Sequence, residues 1–130
     1  MKILLVEDSR FLRRAGERAL EKAGYEVLTA ADGEEALKIA QDAIPDLILL
    51  DMMLPKLSGL EVLRALKQGA TTKHIPVIIL TGLSERNKEK LLQEGAISYL
   101  EKSDTLLEKD SAVLIQAVAR VLGKTAAPSS

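Results

Sequence analysis

At 130 residues the chain is sized for one domain with a single core, and no internal repeat divides it. Its 18 basic and 19 acidic residues give a net charge of −1, which argues against a polyanionic partner such as nucleic acid or an anionic membrane face. The absence of cysteine excludes disulfides, thiolate nucleophiles and thiolate metal sites, and only two Tyr and one Phe leave the core to aliphatic side chains.

The first element is the apolar run ILLV at residues 3–6. Glu7 and Asp8 stop it too early for a signal-peptide core or a membrane span, so a cytoplasmic protein is expected. A helical period follows at Leu12, Ala15, Ala19, Leu20 and Ala23, ended by Gly24. YEVLTA at 25–30 is the second predicted strand. The second helix carries Ala36, Leu37, Ala40 and Ala43 and halts before Pro45.

DLILL at 46–50 reads as a strand buried on both faces, with Asp51 set down at its C-terminal edge. The third helix opens on Ser58 with Glu61 three residues on, a capping-box spacing, and carries Leu60, Leu63 and Leu66. PVIIL at 76–80 is the fourth strand, followed by Thr81 and Gly82. The fourth helix opens at Ser84 and covers 85–94, with only Leu91 and Leu92 as large apolar anchors. ISYL at 97–100 is the fifth strand, and Lys102 follows it. The fifth helix runs over about 110–122, which sets a domain at 1–123 and a disordered tail at 124–130.

Five strands alternating with five helices imply an α/β, doubly wound parallel sheet; the order 2-1-3-4-5 is the common solution at this size. That order puts the ends of the first and third strands side by side. Glu7, Asp8, Asp51, Thr81 and Lys102 then share one rim. Three carboxylates within about 4 to 6 Å repel by several kcal/mol per pair at an intermediate dielectric, so the cluster asks for a counter-charge, and Mg²⁺ takes such oxygen ligands. Lys102 and Thr81 suit the oxygens of a transferring phosphoryl group, and Asp51 is left as the nucleophile. Taken singly, Asp8 or Asp51 also fits a helix cap or turn, Thr81 a strand end, and Tyr99 a half-buried strand residue. His74, the only histidine, lies in a loop far from the rim and reads as surface.

ED after the first strand, LLDMMLPKLSG around the third, LTG at the fourth and YLEK at the fifth together resemble the receiver domain of two-component response regulators. The resemblance covers about residues 2–123 and implies a flavodoxin-like (βα)₅ fold. It further implies that Asp51 accepts a phosphoryl group from the phosphohistidine of a histidine kinase or phosphotransfer protein. Asp8 would hold Mg²⁺ directly, Glu7 through water, with Asp51 and the main-chain carbonyl of Met53 as further ligands. Thr81 would hydrogen-bond the acyl phosphate, Lys102 would pair with it, Gly82 would leave the phosphoryl path open, and Tyr99 would change rotamer as a switch. The chain departs from the family in having Ser103 where proline usually follows the lysine, and in a longer run, SDTLLEKD.

The expected function is a stand-alone phosphoacceptor switch whose output is docking to a partner protein, and which catalyses only its own phosphorylation and dephosphorylation. A receiver-like interaction module that does not switch is the alternative. A phosphatase of the haloacid dehalogenase type would want a second aspartate at Met53, and a flavin site would want a phosphate where Glu7 and Asp8 stand. In the last helix, Leu114, Ala117, Val118 and Val121 are expected to face the sheet. Ile115, Ala119 and Leu122 widen the apolar arc into a homodimer or partner surface shared with the fourth helix. Met53 and Leu83 are expected to cover the phosphorylated Asp51 and slow its hydrolysis.

Overall fold

The computed structural model describes residues 1–82, 85–102 and 111–123. The expectations for Leu83, Ser84, Ser103 and the loop it opens, the start of the last helix at Asp110, and the tail at 124–130 lie outside those residues.

The strands are β1 (Lys2–Val6), β2 (Glu26–Ala30), β3 (Leu47–Asp51), β4 (Val77–Thr81) and β5 (Ser98–Glu101). They form one parallel sheet in the order β2-β1-β3-β4-β5. The helices are α1 (Arg10–Lys22), α2 (Gly33–Ala43), α3 (Gly59–Gln68), α4 (Glu85–Gln93) and α5 (Ser111–Gly123). Strand periodicity divides the core in two. Leu4, Val6, Ile48, Leu50, Val77 and Ile79 point to one face, under Ala36, Ala40, Val62, Leu63, Leu66 and Leu91 of α2, α3 and α4. Ile3, Leu5, Leu47, Leu49, Ile78 and Leu80 point to the other, under Leu20 of α1 and Leu114, Val118 and Leu122 of α5. Burying a Leu or Ile fully contributes about 1.5–3 kcal/mol, and β3 and β4 are buried along their whole length, so the centre of the sheet is the rigid part of the molecule.

β3, β4 and β5 sit one residue later than the apolar runs suggest, β2 starts one residue later and ends as expected, and β1 starts one residue earlier, at Lys2. Tyr25, Asp46, Pro76 and Ile97 precede β2, β3, β4 and β5, while Asp51, Thr81 and Glu101 are the last residues of β3, β4 and β5. At Asp46 the reason is visible: its carboxylate accepts the Lys2 N–H at 2.7 Å, so the side chain ties down the start of β1. Gly24, at φ +101°, follows the α1 C-cap as expected. Ser58 and Glu61 complete the capping box on α3.

Two packing expectations are corrected. Leu91 is buried, but Leu92 is 43% exposed, so a single large side chain anchors the described part of α4. In α5 the buried stripe is Leu114, Val118 and Leu122, spaced i, i+4, i+8. Leu122 thus belongs to the inward face, and Ile115 is partly buried against the same core. The outward apolar residues here are Ala112, Val113 and Ala119, with Ile97 ahead of β5 and Leu92 on α4.

Candidate functional site

β1, β3 and β4 end on the same edge of the sheet, and each hands over a polar residue there. Glu7 follows β1 with no exposure, Asp51 closes β3 at 2%, and Thr81 closes β4 at 1%. These are three of the four buried polar or charged residues among those described. Asp8 is exposed on the same corner. Lys102 follows β5 and is placed by its own N–H, which donates to the Thr81 carbonyl at 2.9 Å.

Buried carboxylates need partners, and Lys102 supplies one to both. Its Nζ donates to Glu7 Oε1 and to Asp51 Oδ2, each at 2.7 Å. The second oxygens are met by the main chain. Glu7 Oε2 accepts the Ser9 N–H at 3.0 Å, and Asp51 Oδ1 accepts the Met53 N–H at 3.1 Å. Burial works against the charged form of Lys102, yet the hydrogen bonds and charges of Asp51 and Glu7 outweigh it and raise its pKa. The Glu7 pKa is also raised: loss of solvation outweighs the hydrogen bonds from Lys102 and Ser9, and the Asp51 charge adds to it. The two acids thus hold the ammonium charged, while burial raises the Glu7 pKa in spite of that ammonium.

Carboxylate oxygens of Glu7, Asp8 and Asp51 lie within 4.8 Å of one another. Three carboxylates and the Lys102 ammonium leave two negative charges in the cluster, which a hard divalent cation would neutralise. The donor set therefore fits Mg²⁺.

A cleft of about 350 Å³ opens beside the cluster, lined by Asp51, Met53, Thr81, Gly82 and Lys102 among others. A Cβ on Gly82 would meet nothing within 4 Å, so any side chain there would project into open space. Gly59 is the opposite case. A Cβ there would lie 2.6 Å from the Asp51 carbonyl oxygen and 2.7 Å from Met52 Cα, so only glycine lets α3 start this close behind the β3 end.

The structure thus gathers Glu7, Asp8, Asp51, Thr81, Lys102 and the Met53 main chain. Met53 lines the cleft with 77% of its surface exposed, so it stands at the mouth and does not seal Asp51 beneath it. Tyr99 lies elsewhere, half-buried in β5 opposite Ile79, and His74 is exposed on a loop away from the site. Two contributors went unnoticed in the sequence. Ser9 caps α1 through Leu12 N–H and bonds Glu7, and a serine just before an apolar helical period is a readable N-cap signal. Arg13 donates to the Glu7 carbonyl at 2.9 Å, a main-chain contact that leaves no signature in the sequence.

Residues 3–117 match the family described as response regulator receiver domain. The chain belongs to that family. Among curated relatives, the receiver is 42% identical over 130 residues to the alkaline phosphatase synthesis transcriptional regulatory protein PhoP of Bacillus subtilis, covering 99% of this chain and 52% of that protein. It is 38% identical over 101 residues to the polar-differentiation response regulator DivK of Brucella ovis, covering 77% and 82%. The chain therefore spans about half the length of PhoP and most of DivK. Among solved structures, the chemotaxis response regulator CheY4 of Vibrio cholerae superposes with a TM-score of 0.82 at 35% identity, covering 92% of this chain and 97% of that one. The Mn²⁺-bound form of response regulator Rcp1 does so with 0.76 at 34%, covering 91% of each. Among the described residues of the receiver, no helix is long and apolar enough to cross a membrane.

Proposed function

We propose that this receiver is a Mg²⁺-dependent phosphoacceptor switch in which Asp51 takes the phosphoryl group from a phosphohistidine. The observation that carries the reading is the Lys102 ammonium bonded to both Asp51 and Glu7 at a cleft that Thr81 also lines. An Asp51 carboxylate oxygen attacks phosphorus as the P–N bond breaks, and the imidazole leaves with the electron pair and gains a proton. Asp8, Glu7, Asp51 and the Met53 carbonyl would hold Mg²⁺, which supplies charge stabilisation for the phosphoryl oxygens. The Mn²⁺-bound state of Rcp1 supports a divalent ion here. Lys102 and Thr81 donate to the transferred group. Incubation with acetyl phosphate should add one phosphoryl mass in Mg²⁺ and none in EDTA; no gain in either would favour the interaction module that does not switch.

Persistence of the phosphorylated form is the next expectation. Met53 places an apolar side chain at the cleft mouth, where it can neither donate to nor orient an attacking water. Because it is exposed and not packed down, Met53→Asn is expected to speed phosphate loss by a factor of a few up to about ten, the latter equal to about 1.4 kcal/mol in barrier. A dephosphorylation time course in Mg²⁺ measures this, and an unchanged rate removes Met53 from the gating role.

Output docking is assigned to the β5 and α5 side, where Ile97, Tyr99, Ala117, Arg120 and Val121 line a groove and Ile97 is 54% exposed. The occupant we propose is a second copy of the chain, the homodimer expected from the sequence, here through β5 and α5 in place of the fourth and fifth helices. Light scattering of the acetyl-phosphate-treated protein should show a dimer that Ile97→Glu dissolves; a monomer in both would leave the groove to a different protein.

A further inference from the structure

The first turns of α1 carry three cations, Arg10, Arg13 and Arg14, where helix electrostatics disfavour them. A helix N-terminus is partially positive, yet Arg13 sits four residues after the N-cap Ser9, in a helix with no acidic residue in its first turn. The guanidinium is turned back toward the preceding loop. Its Nη1 donates to the Glu7 carbonyl at 2.9 Å and reaches the Asp8 carbonyl at 3.4 Å. Those are the two residues whose carboxylates join Asp51 in the acidic cluster.

We infer that Arg13 is a positioning residue for the divalent-cation site, fixing the peptide planes of Glu7 and Asp8 so that both carboxylates reach the cluster. This rests on the Mg²⁺-dependent reading above. Glu7 has other restraints: its N–H donates to Ala30, and its carboxylate is held by Ser9 and Lys102. Asp8 is exposed, and among the described residues Arg13 is the one side chain that bonds its carbonyl. Without that bond the Asp8–Ser9 peptide is held only by the Ser9 N–H on Glu7 Oε2, at 3.0 Å, and its carbonyl end loses its side-chain anchor. Loss of a partner that orients a metal ligand typically weakens the metal 10- to 100-fold.

The sign of the effect separates positioning from charge. A guanidinium acting only as a charge would repel a divalent cation, so its removal would tighten binding. Positioning demands the reverse. The test is Mn²⁺ binding to the purified chain, by electron paramagnetic resonance of the free ion and by calorimetry, for wild type, Arg13→Met, Arg13→Lys and Asp8→Asn, with thermal midpoints in EDTA. Arg13→Met is expected to bind Mn²⁺ about tenfold more weakly, and Arg13→Lys, which keeps the charge and one donor, to fall between it and wild type. Affinity equal to or tighter than wild type in Arg13→Met overturns the inference. If that variant does not fold, Arg13→Lys decides alone: weaker binding supports positioning, and wild-type binding overturns it. Binding lost in Asp8→Asn but unchanged in Arg13→Met sinks the inference and leaves the metal reading standing, whereas a wild type that binds no Mn²⁺ sinks both.

Discussion

Asp51→Asn is expected to abolish phosphorylation by acetyl phosphate while leaving the chain folded. The amide keeps the volume of the carboxylate at the end of a fully buried strand, so the β3 end and the approach of Gly59 behind it survive. What is lost is an ionised oxygen able to attack phosphorus. Hydrogen bonding around the site makes the point a second way. Asp51 accepts from the Lys102 ammonium on one oxygen and from the Met53 N–H on the other, and both are donors. An amide has one acceptor and one donor end, so in either rotation it sets N–H against a donor. The variant also relieves the Asp51 charge that helps to raise the Glu7 pKa, which offsets part of that conflict. Intact-protein mass spectrometry in Mg²⁺ is the measurement, with thermal denaturation as the control for folding. A mass gain undiminished in Asp51→Asn would falsify the phosphoacceptor assignment.

Legibility of the sequence follows what each signal measures. The runs ILLV, LILL and VIIL are short, apolar and bounded by turn residues, so they read as strands, and their alternation with helical periods points to a parallel sheet whose common order is the one observed. Strand ends are where ligands collect in such sheets, so Glu7, Asp51, Thr81 and Lys102 could be placed on one rim before any distance was known. Their mutual bonding could not. That Lys102 bridges the two buried acids depends on how far a flexible four-carbon stem reaches across from β5. Composition also misjudges helix faces at the margin. Leu92 and Leu122 are both leucines near a helix end, yet one is exposed and the other buried: Leu122 lies on the i, i+4, i+8 line from Leu114 that meets the sheet, whereas on α4 it is Leu91 that turns to the core. Arg13 shows the limit most plainly: its targets are carbonyl oxygens, which every residue has.

Lys102→Met should produce the second large effect, one that reverses sign between two observables. In wild type the ammonium is bonded to two carboxylates with 0% and 2% exposure. Removing one partner of a buried ion pair typically costs 3–5 kcal/mol, because the other charge stays behind; Lys102 is itself 23% exposed, which puts the expected loss near the lower end, about 3 kcal/mol in EDTA. Urea denaturation near neutral pH measures it. The deficit should shrink on acidification. Glu7 has a raised folded pKa, so its proton binding stabilises the fold below the unfolded value of 4.5, and that contribution is lost as pH rises through the raised value. Without Lys102 an ionised Glu7 is costlier still, so the variant suffers most where Glu7 is charged and least where it is neutral. In wild type, the Lys102 contribution holds below 10.5 and is lost as pH rises through its raised folded pKa. Metal binding should move the other way. With no ammonium on Glu7 Oε1 and Asp51 Oδ2, those oxygens lose their competing cation, so Mg²⁺ should bind more tightly to the variant and restore much of its stability, by about 2.7 kcal/mol at a hundredfold excess over Kd. Phosphorylation by acetyl phosphate should nevertheless slow, since the point charge opposite the transferring group is gone. A variant as stable as wild type in EDTA, or one that binds Mg²⁺ more weakly, would mean that Lys102 does not hold the two acids in solution.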